Sequence, residues 1–178
     1  MTNNDILRRI RYTFDFDDAK MISIFGLAEQ KVTREEISNW LKKDDDADFS
    51  QCTDTQFSIF LNGLIIDKRG KKEGKQAEPE KRLTNNIIFR KLKIALDLKN
   101  ENVLELLKLA DFSLSRHELS AFFRKVGHKN YRECKEQVLR NFLTGMQCQY
   151  RLNPDSEIEA EFKWPSPSTK QEQAFESE

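Results

Sequence analysis

The chain has no apolar run near the roughly 20 residues that a bilayer-spanning helix requires, which excludes a membrane span. Six Gly and four Pro in 178 residues exclude collagen-like or linker-like character over most of the length. Cysteine is scarce: Cys52, Cys134 and Cys148 make an odd number with no C-x-x-C spacing, which excludes a disulfide-stapled secreted scaffold. The opening Met1-Thr2-Asn3-Asn4-Asp5 lacks the basic start and apolar stretch of a secretory signal, so a cytoplasmic location is expected. With two His, the catalytic inventory is thin. There is also no G-x-x-x-x-G-K-[ST], no G-x-G-x-x-G and no H-E-x-x-H, which removes the phosphate-loop, dinucleotide and zinc-protease signatures. Net charge is absent too, thirty basic residues cancelling thirty acidic ones.

What is present is an internal duplication. Displaced by 82 residues, positions 4–67 align with 86–149 without a gap and share 14 identities over those 64 positions. Asn4, Ile6 and Arg8 meet Asn86, Ile88 and Arg90; Asp15 meets Asp97; Cys52 meets Cys134; Phe60, Leu61 and Gly63 meet Phe142, Leu143 and Gly145. Most other apolar positions exchange one hydrophobe for another, so each copy must bury the same pattern.

Each copy reads as four helices, and the fold class is all-α. Ile6, Leu7, Ile10 and Phe14, matched by Ile88, Phe89, Leu92 and Leu96, have the i, i+3/i+4 spacing of one buried stripe. A second helix follows Asp17-Asp18 or Asn100 and buries Met21, Ile24, Phe25 and Ala28, or Val103, Leu106, Leu107 and Ala110. A third opens on capping boxes, Thr33 with Glu36 and Ser115 with Glu118, and buries Ile37, Trp40 and Leu41, or Leu119, Phe122 and Phe123. A fourth presents Phe57, Phe60, Leu61 and Leu64, or Leu139, Phe142, Leu143 and Met146; Asp48, Asn130 and Thr53 are candidates for its N-cap. Gly63 and Gly145 fall inside this apolar helix and predict close helix–helix contact. The organisation expected is a first repeat over 1–67, a charged solvated linker over 68–85, a second repeat over 86–151, and an acidic tail over 152–178 read as disordered, with Phe162 or Trp164 able to anchor it.

Candidate chemistry is sparse. Cys134 with His128 is the one arrangement suggestive of a nucleophile pair, and it sits beside a plainer reading: Cys52 and Cys134 are small buried hydrophobes at equivalent positions. The Asp44–Asp48 cluster lacks the sixth-position Gly and twelfth-position Glu of a calcium loop. No catalytic residue, metal site or cofactor is assigned.

The basic residues carry more. The zero net charge divides into 8 basic against 13 acidic residues over 1–67, 6 against 3 over 68–81, 14 against 7 over 82–151, and 2 against 7 over 152–178. The second repeat is therefore strongly basic, and its Arg90, Lys91, Lys93, Arg116, Arg124, Lys125, Lys129 and Arg132 are the candidate binding residues. The alternative is a charged face that only solvates its helices. Residues 90–125 are similar to a repressor-type helix-turn-helix, in which the helix beginning near Ser115 would enter the major groove. The connection before that helix lacks a turn Gly and is about two residues longer than the motif's, and Phe122 and Phe123 imply that its far end is buried.

Four stretches resemble a known family: Asn4 to Arg8 (NDILR), Trp40 to Lys43 (WLKK), Phe60 to Gly70 (FLNGLIIDKRG) and His128 to Cys134 (HKNYREC). They are similar to the YehS-type bacterial proteins, domain-of-unknown-function family 1456, itself a tandem duplication. The resemblance spans about residues 2–151; it implies a small cytoplasmic bacterial protein and brings no activity, cofactor or site residues with it. The expectation is a non-enzymatic binding protein whose basic second repeat meets nucleic acid or an acidic protein surface. A protein–protein adaptor built on the acidic and basic repeats is the alternative, and a Cys134/His128 enzyme a remote one.

Overall fold

In the computed structural model the described residues are 1–152, and all their regular structure is helical. The first repeat comprises α1 (Asn3–Phe14), α2 (Asp18–Leu27), α3 (Arg34–Leu41) and α4 (Asp54–Arg69). The second comprises α5 (Asn85–Ala95), α6 (Asn100–Leu109), α7 (Arg116–Phe122) and α8 (Glu136–Gln147), followed by a π-helical turn over Cys148–Leu152. The expectations for the tail, including its disorder and its docking through Phe162 or Trp164, fall outside the described residues.

Local chemistry sets the helix starts. Thr2, Thr33, Thr53 and Ser115 each accept from the N–H three residues on, while Asp5, Glu36, Gln56 and Glu118 reach back to the cap N–H. Of the candidate caps for the fourth helix, Thr53 is the one used. Asp48 and Asn130 lie in the preceding loops, and α8 starts after Lys135 without a side-chain cap. The four-helix stripes expected from the sequence are buried, with Ala28, Ala110, Leu41 and Phe123 only partly so.

Two features build each repeat identically. The first is the glycine contact: a Cβ on Gly63 would lie 1.9 Å from the Ile24 carbonyl oxygen, and a Cβ on Gly145 would lie 1.9 Å from that of Leu106. The fourth helix thus rests on the backbone of the second. The second feature is a buried asparagine. Asn4 Nδ2 donates to the carbonyls of Trp40 and Ser50 and its Oδ1 accepts from the Cys52 N–H; Asn86 makes the same three bonds to Phe122, Arg132 and Cys134, all between 2.8 and 3.1 Å. Three orphan backbone groups at the end of the third helix and the approach to the fourth are satisfied by one side chain.

The repeats then pack about a pseudo-two-fold axis. α4 lies against α5 and α8 against α1, so first meets fourth twice. The polar contacts across the interface also come in equivalent pairs. Arg69–Asp97 at 2.7 Å matches Arg151–Asp15 at 3.5 Å. Lys91 Nζ to Asn62 Oδ1 at 2.5 Å matches Arg9 Nη2 to Thr144 Oγ1 at 2.9 Å. The Leu83 N–H on Asp54 at 2.9 Å matches the Met1 ammonium on Glu136 at 3.0 Å. The segment between α4 and α5 is less solvated than its composition suggests, because Glu80 and Leu83 tie its second half to Ser58 and Asp54.

The glycine contact generates a pair of opposite expectations. Gly63→Ala and Gly145→Ala each force the helices apart, and each lowers stability by about 3 kcal/mol or more in denaturant unfolding. Gly26→Ala, at an exposed position of α2 with nothing within 4 Å of the added Cβ, raises it by about 0.5–1 kcal/mol through helix propensity.

Candidate nucleic-acid interface

Seven of the eight candidate cations lie on α5 and on the loop from Phe123 to Lys135, and Arg116 opens α7. The loop is held from inside by Asn86 and closed on itself. The His128 N–H donates to the Lys125 carbonyl, Tyr131 to His128, and Arg132 to Ala121, with Gly127 at φ 91° making the turn. The last of these bonds, at 3.1 Å, returns Arg132 to the end of α7, so Arg124, Lys125, Lys129 and Arg132 occupy one tight loop, all exposed. Lys93 joins them from α5: its Nζ lies 5.3 Å from the centroid of the Phe123 ring, which packs edge-on to Phe89 at 5.0 Å. Arg90, one turn earlier, is exposed on the rim of a cavity of about 440 Å³ between α4, α5 and the inter-repeat segment, walled by Leu27, Ile59, Ile65 and Ile94.

Pairing separates the two repeats. In the first, Arg8 is bound by Asp5, Arg11 by Asp18 at 3.6 Å and Lys42 by Asp48 at 3.5 Å. Their equivalents in the second are Arg90, Lys93 and Arg124, and the three acids have become Ile87, Asn100 and Asn130. Among the described residues these three cations make no ion pair, nor do Lys125, Lys129 and Arg132.

Two candidates leave the set. Lys91 is a correction: its side chain is 8% exposed, hydrogen-bonded to Asn62 and 3.1 Å from the Glu80 carboxylate, so its charge is spent inside the interface. It sits on the face of α5 that meets α4, a quarter-turn from Arg90. Arg116 is exposed but engages Glu101 at 2.6 Å. The helix-turn-helix likeness does not produce a reading helix either: α7 is 7 residues long and its far end, Phe122, is 5% exposed in the core.

Cys134 and His128 are not brought together. Cys134 is 1% exposed, its Sγ directed to the Lys135 carbonyl at 3.7 Å, and burial pushes its thiol up to about 12. Cys52 is held at about 12 by burial and the Asp54 charge. His128 is exposed and its Nδ1 accepts from the Asn130 N–H at 3.0 Å. A thiol shifted upward has little thiolate to attack with. Among the described residues no group of three or more His, Cys, Asp or Glu could hold a metal ion, and no helix is long and apolar enough to cross a membrane.

Comparison with known proteins matches two segments, residues 3–70 and 85–151, to the family described as "Protein of unknown function (DUF1456)". The "Uncharacterized protein YehS" of Escherichia coli (strain K12) is 44% identical over 147 residues, covering 82% of this chain and 94% of that protein. No solved structure matches.

The cysteine environments predict that Cys52 and Cys134 resist an aromatic disulfide reagent at pH 8 in the native protein. Both should titrate only on unfolding, and the count of reactive thiols against denaturant checks this.

Proposed function

The chain belongs to the DUF1456 family of proteins of unknown function, and from that premise we propose that it is a non-enzymatic binding protein whose second repeat takes the phosphate backbone of nucleic acid. The observation that carries the reading is the loss of three acids. Arg8, Arg11 and Lys42 are neutralised in the first repeat, and Arg90, Lys93 and Arg124, at the same places on the same scaffold, are left open by Ile87, Asn100 and Asn130.

An exposed cation with a partner gives up that pair when it binds a phosphate; an unpaired one releases a counterion and gains the contact outright. Lys93 is steadied on Phe123, and Arg124, Lys125, Lys129 and Arg132 ride on a loop with internal hydrogen bonds, so less ordering entropy opposes binding. Such contacts read backbone rather than base edges, and the binding has little sequence preference. The acidic first repeat supplies the same fold with the opposite charge and repels the same ligand.

The test is a salt series with duplex DNA and structured RNA. Affinity should fall with salt, and the triple variant Arg90→Ala, Lys93→Ala, Arg124→Ala should flatten the log–log slope by about 2–3. Restoring the acids by Asn100→Asp and Asn130→Asp, which leaves every cation in place, should weaken binding in the same direction. Affinity that ignores salt, or is untouched by both variants, overturns the proposal. A stoichiometric protein partner that survives nuclease treatment and is lost in the triple variant moves the surface to an acidic protein instead.

A further inference from the structure

The two grooves where a first helix meets a fourth differ in chemistry. Between α4 and α5 lies the cavity of about 440 Å³, with Lys71, Lys72 and residues 76–79 among its lining. That volume is within the roughly 300–1,000 Å³ of small-molecule pockets. Its walls are Leu27, Ile59, Ile65, Ile66 and Ile94, and among the described residues no aromatic ring lines it. Ile59, Ile65 and Ile66 are half-buried, while Leu27 and Ile94 are 37% and 45% exposed, so the aliphatic surface runs from the helix interface out to solvent.

The 82-residue offset carries Ile94 to Tyr12, Ile65 to Gln147 and Ile59 to Asn141. Tyr12 and Gln147 line an open space of about 370 Å³ in the sister groove, with Asp5, Arg8 and Arg9. There the arginine is spent: the Arg8 guanidinium is bound by Asp5 and by the Lys42 carbonyl. In the α4–α5 groove the place of Asp5 is taken by Ile87, and Arg90, the equivalent of Arg8, is exposed with no ion pair among the described residues. Lys71 and Lys72 are exposed and unpaired as well. One free acid of the lining stands against these three cations, Glu29, because Glu78 is held by Lys75 at 2.8 Å. The buried polar groups of the lining are already satisfied, Lys91 by Asn62 and, at 3.1 Å, by Glu80. The uncommitted positive charge is therefore at the exposed edge.

We infer that this cavity binds an unbranched aliphatic monocarboxylate, its chain laid against the isoleucines and its carboxylate held at the exposed edge by Arg90 with Lys71 and Lys72. On one scaffold, one groove has three aliphatic side chains and an open arginine where the other has three polar side chains and a neutralised one. The two differences fit the two ends of a single amphipathic anion. Aliphatic walls without a ring suit a flexible chain over a flat aromatic ligand, whose added affinity comes from ring contacts. A guanidinium meets a carboxylate through two parallel, charge-assisted hydrogen bonds, and the two ammonium groups add point charges beside it. Burial of the chain supplies most of the affinity, and the head supplies the preference for an anion. The site shares Arg90 alone with the nucleic-acid surface and does not require that reading.

The test is calorimetric titration of the full chain with hexanoate, octanoate and decanoate at low salt. Each added methylene should tighten binding roughly threefold to fourfold. The uncharged 1-octanol should bind about tenfold more weakly than octanoate. Both comparisons use the unmodified protein and so do not depend on any variant folding. The variant Lys71→Ala, Lys72→Ala, Arg90→Ala should erase most of the difference between octanoate and octanol while leaving octanol affinity unchanged. Ile59→Asn with Ile94→Tyr installs the residues that the sister groove carries, and in protein that still unfolds cooperatively it should weaken decanoate about tenfold or more. That variant should bind duplex DNA like the unmodified chain, and Lys93→Ala with Arg124→Ala should bind decanoate like the unmodified chain, so each of the two readings can fail alone. Affinity that does not grow with chain length, octanol binding as tight as octanoate, or decanoate binding that survives Ile59→Asn with Ile94→Tyr overturns the inference.

Discussion

The fold depends on a backbone-to-backbone contact made once in each repeat. Gly63 on Ile24 and Gly145 on Leu106 bring the fourth helix down onto the main chain of the second, a distance no side chain permits. A glycine inside a helix costs about 1 kcal/mol in propensity, and the closer burial of Phe60, Leu61, Phe142 and Leu143 against their neighbours offsets it. With one face of α4 and α8 consumed this way, the other is turned outward, still apolar, and must be covered. What covers it is the first helix of the other repeat. The contact inside each repeat therefore dictates the contact between repeats, and both occur twice because the sequence does.

The asparagine at the start of each first helix couples that interface to the surface. Asn4 and Asn86 hold the chain between the third and fourth helices by three hydrogen bonds in nearly apolar surroundings, where leaving any of those backbone groups unmade is expensive. On this frame the two repeats carry opposite net charge. The loop of Asp44, Asp45, Asp46 and Asp48 and the loop of Arg124, Lys125, Lys129 and Arg132 are the same loop on the same clamp. Charge has diverged where the scaffold is solvated and has been conserved in kind where it is not: Lys91 and Arg9, both cations, both turned into the interface.

The parts of this structure legible in sequence are those governed by short-range chemistry. Periodicity located the stripes of all eight helices, the capping boxes at Thr33 and Ser115 gave the starts of α3 and α7, and the glycines inside apolar helices announced close packing. The buried asparagines were visible as an identity without a role, because their partners lie 36, 46 and 48 residues away and an asparagine in a first turn reads as a helix start. Lys91 was misplaced for a similar reason: in the run Arg90-Lys91-x-Lys93 nothing local says that one of three cations faces Asn62, 29 residues back. The unpairing of Arg90, Lys93 and Arg124 was within reach, since the alignment that equates the repeats also sets Asp5, Asp18 and Asp48 against Ile87, Asn100 and Asn130. The charge of each segment shows the excess but not which cations lack a partner.

The pseudo-two-fold axis has a consequence for how such a chain arises and assembles. Each repeat gives a first helix to its neighbour and receives its neighbour's first helix on its own fourth, which is the arrangement of a two-fold dimer drawn into one chain. Residues 70–84 do not create that association; they change its order of reaction. Tethered, the second half meets the first at an effective concentration set by loop length rather than by abundance in the cell. Assembly becomes folding, and the halves, no longer required to be identical, are free to specialise.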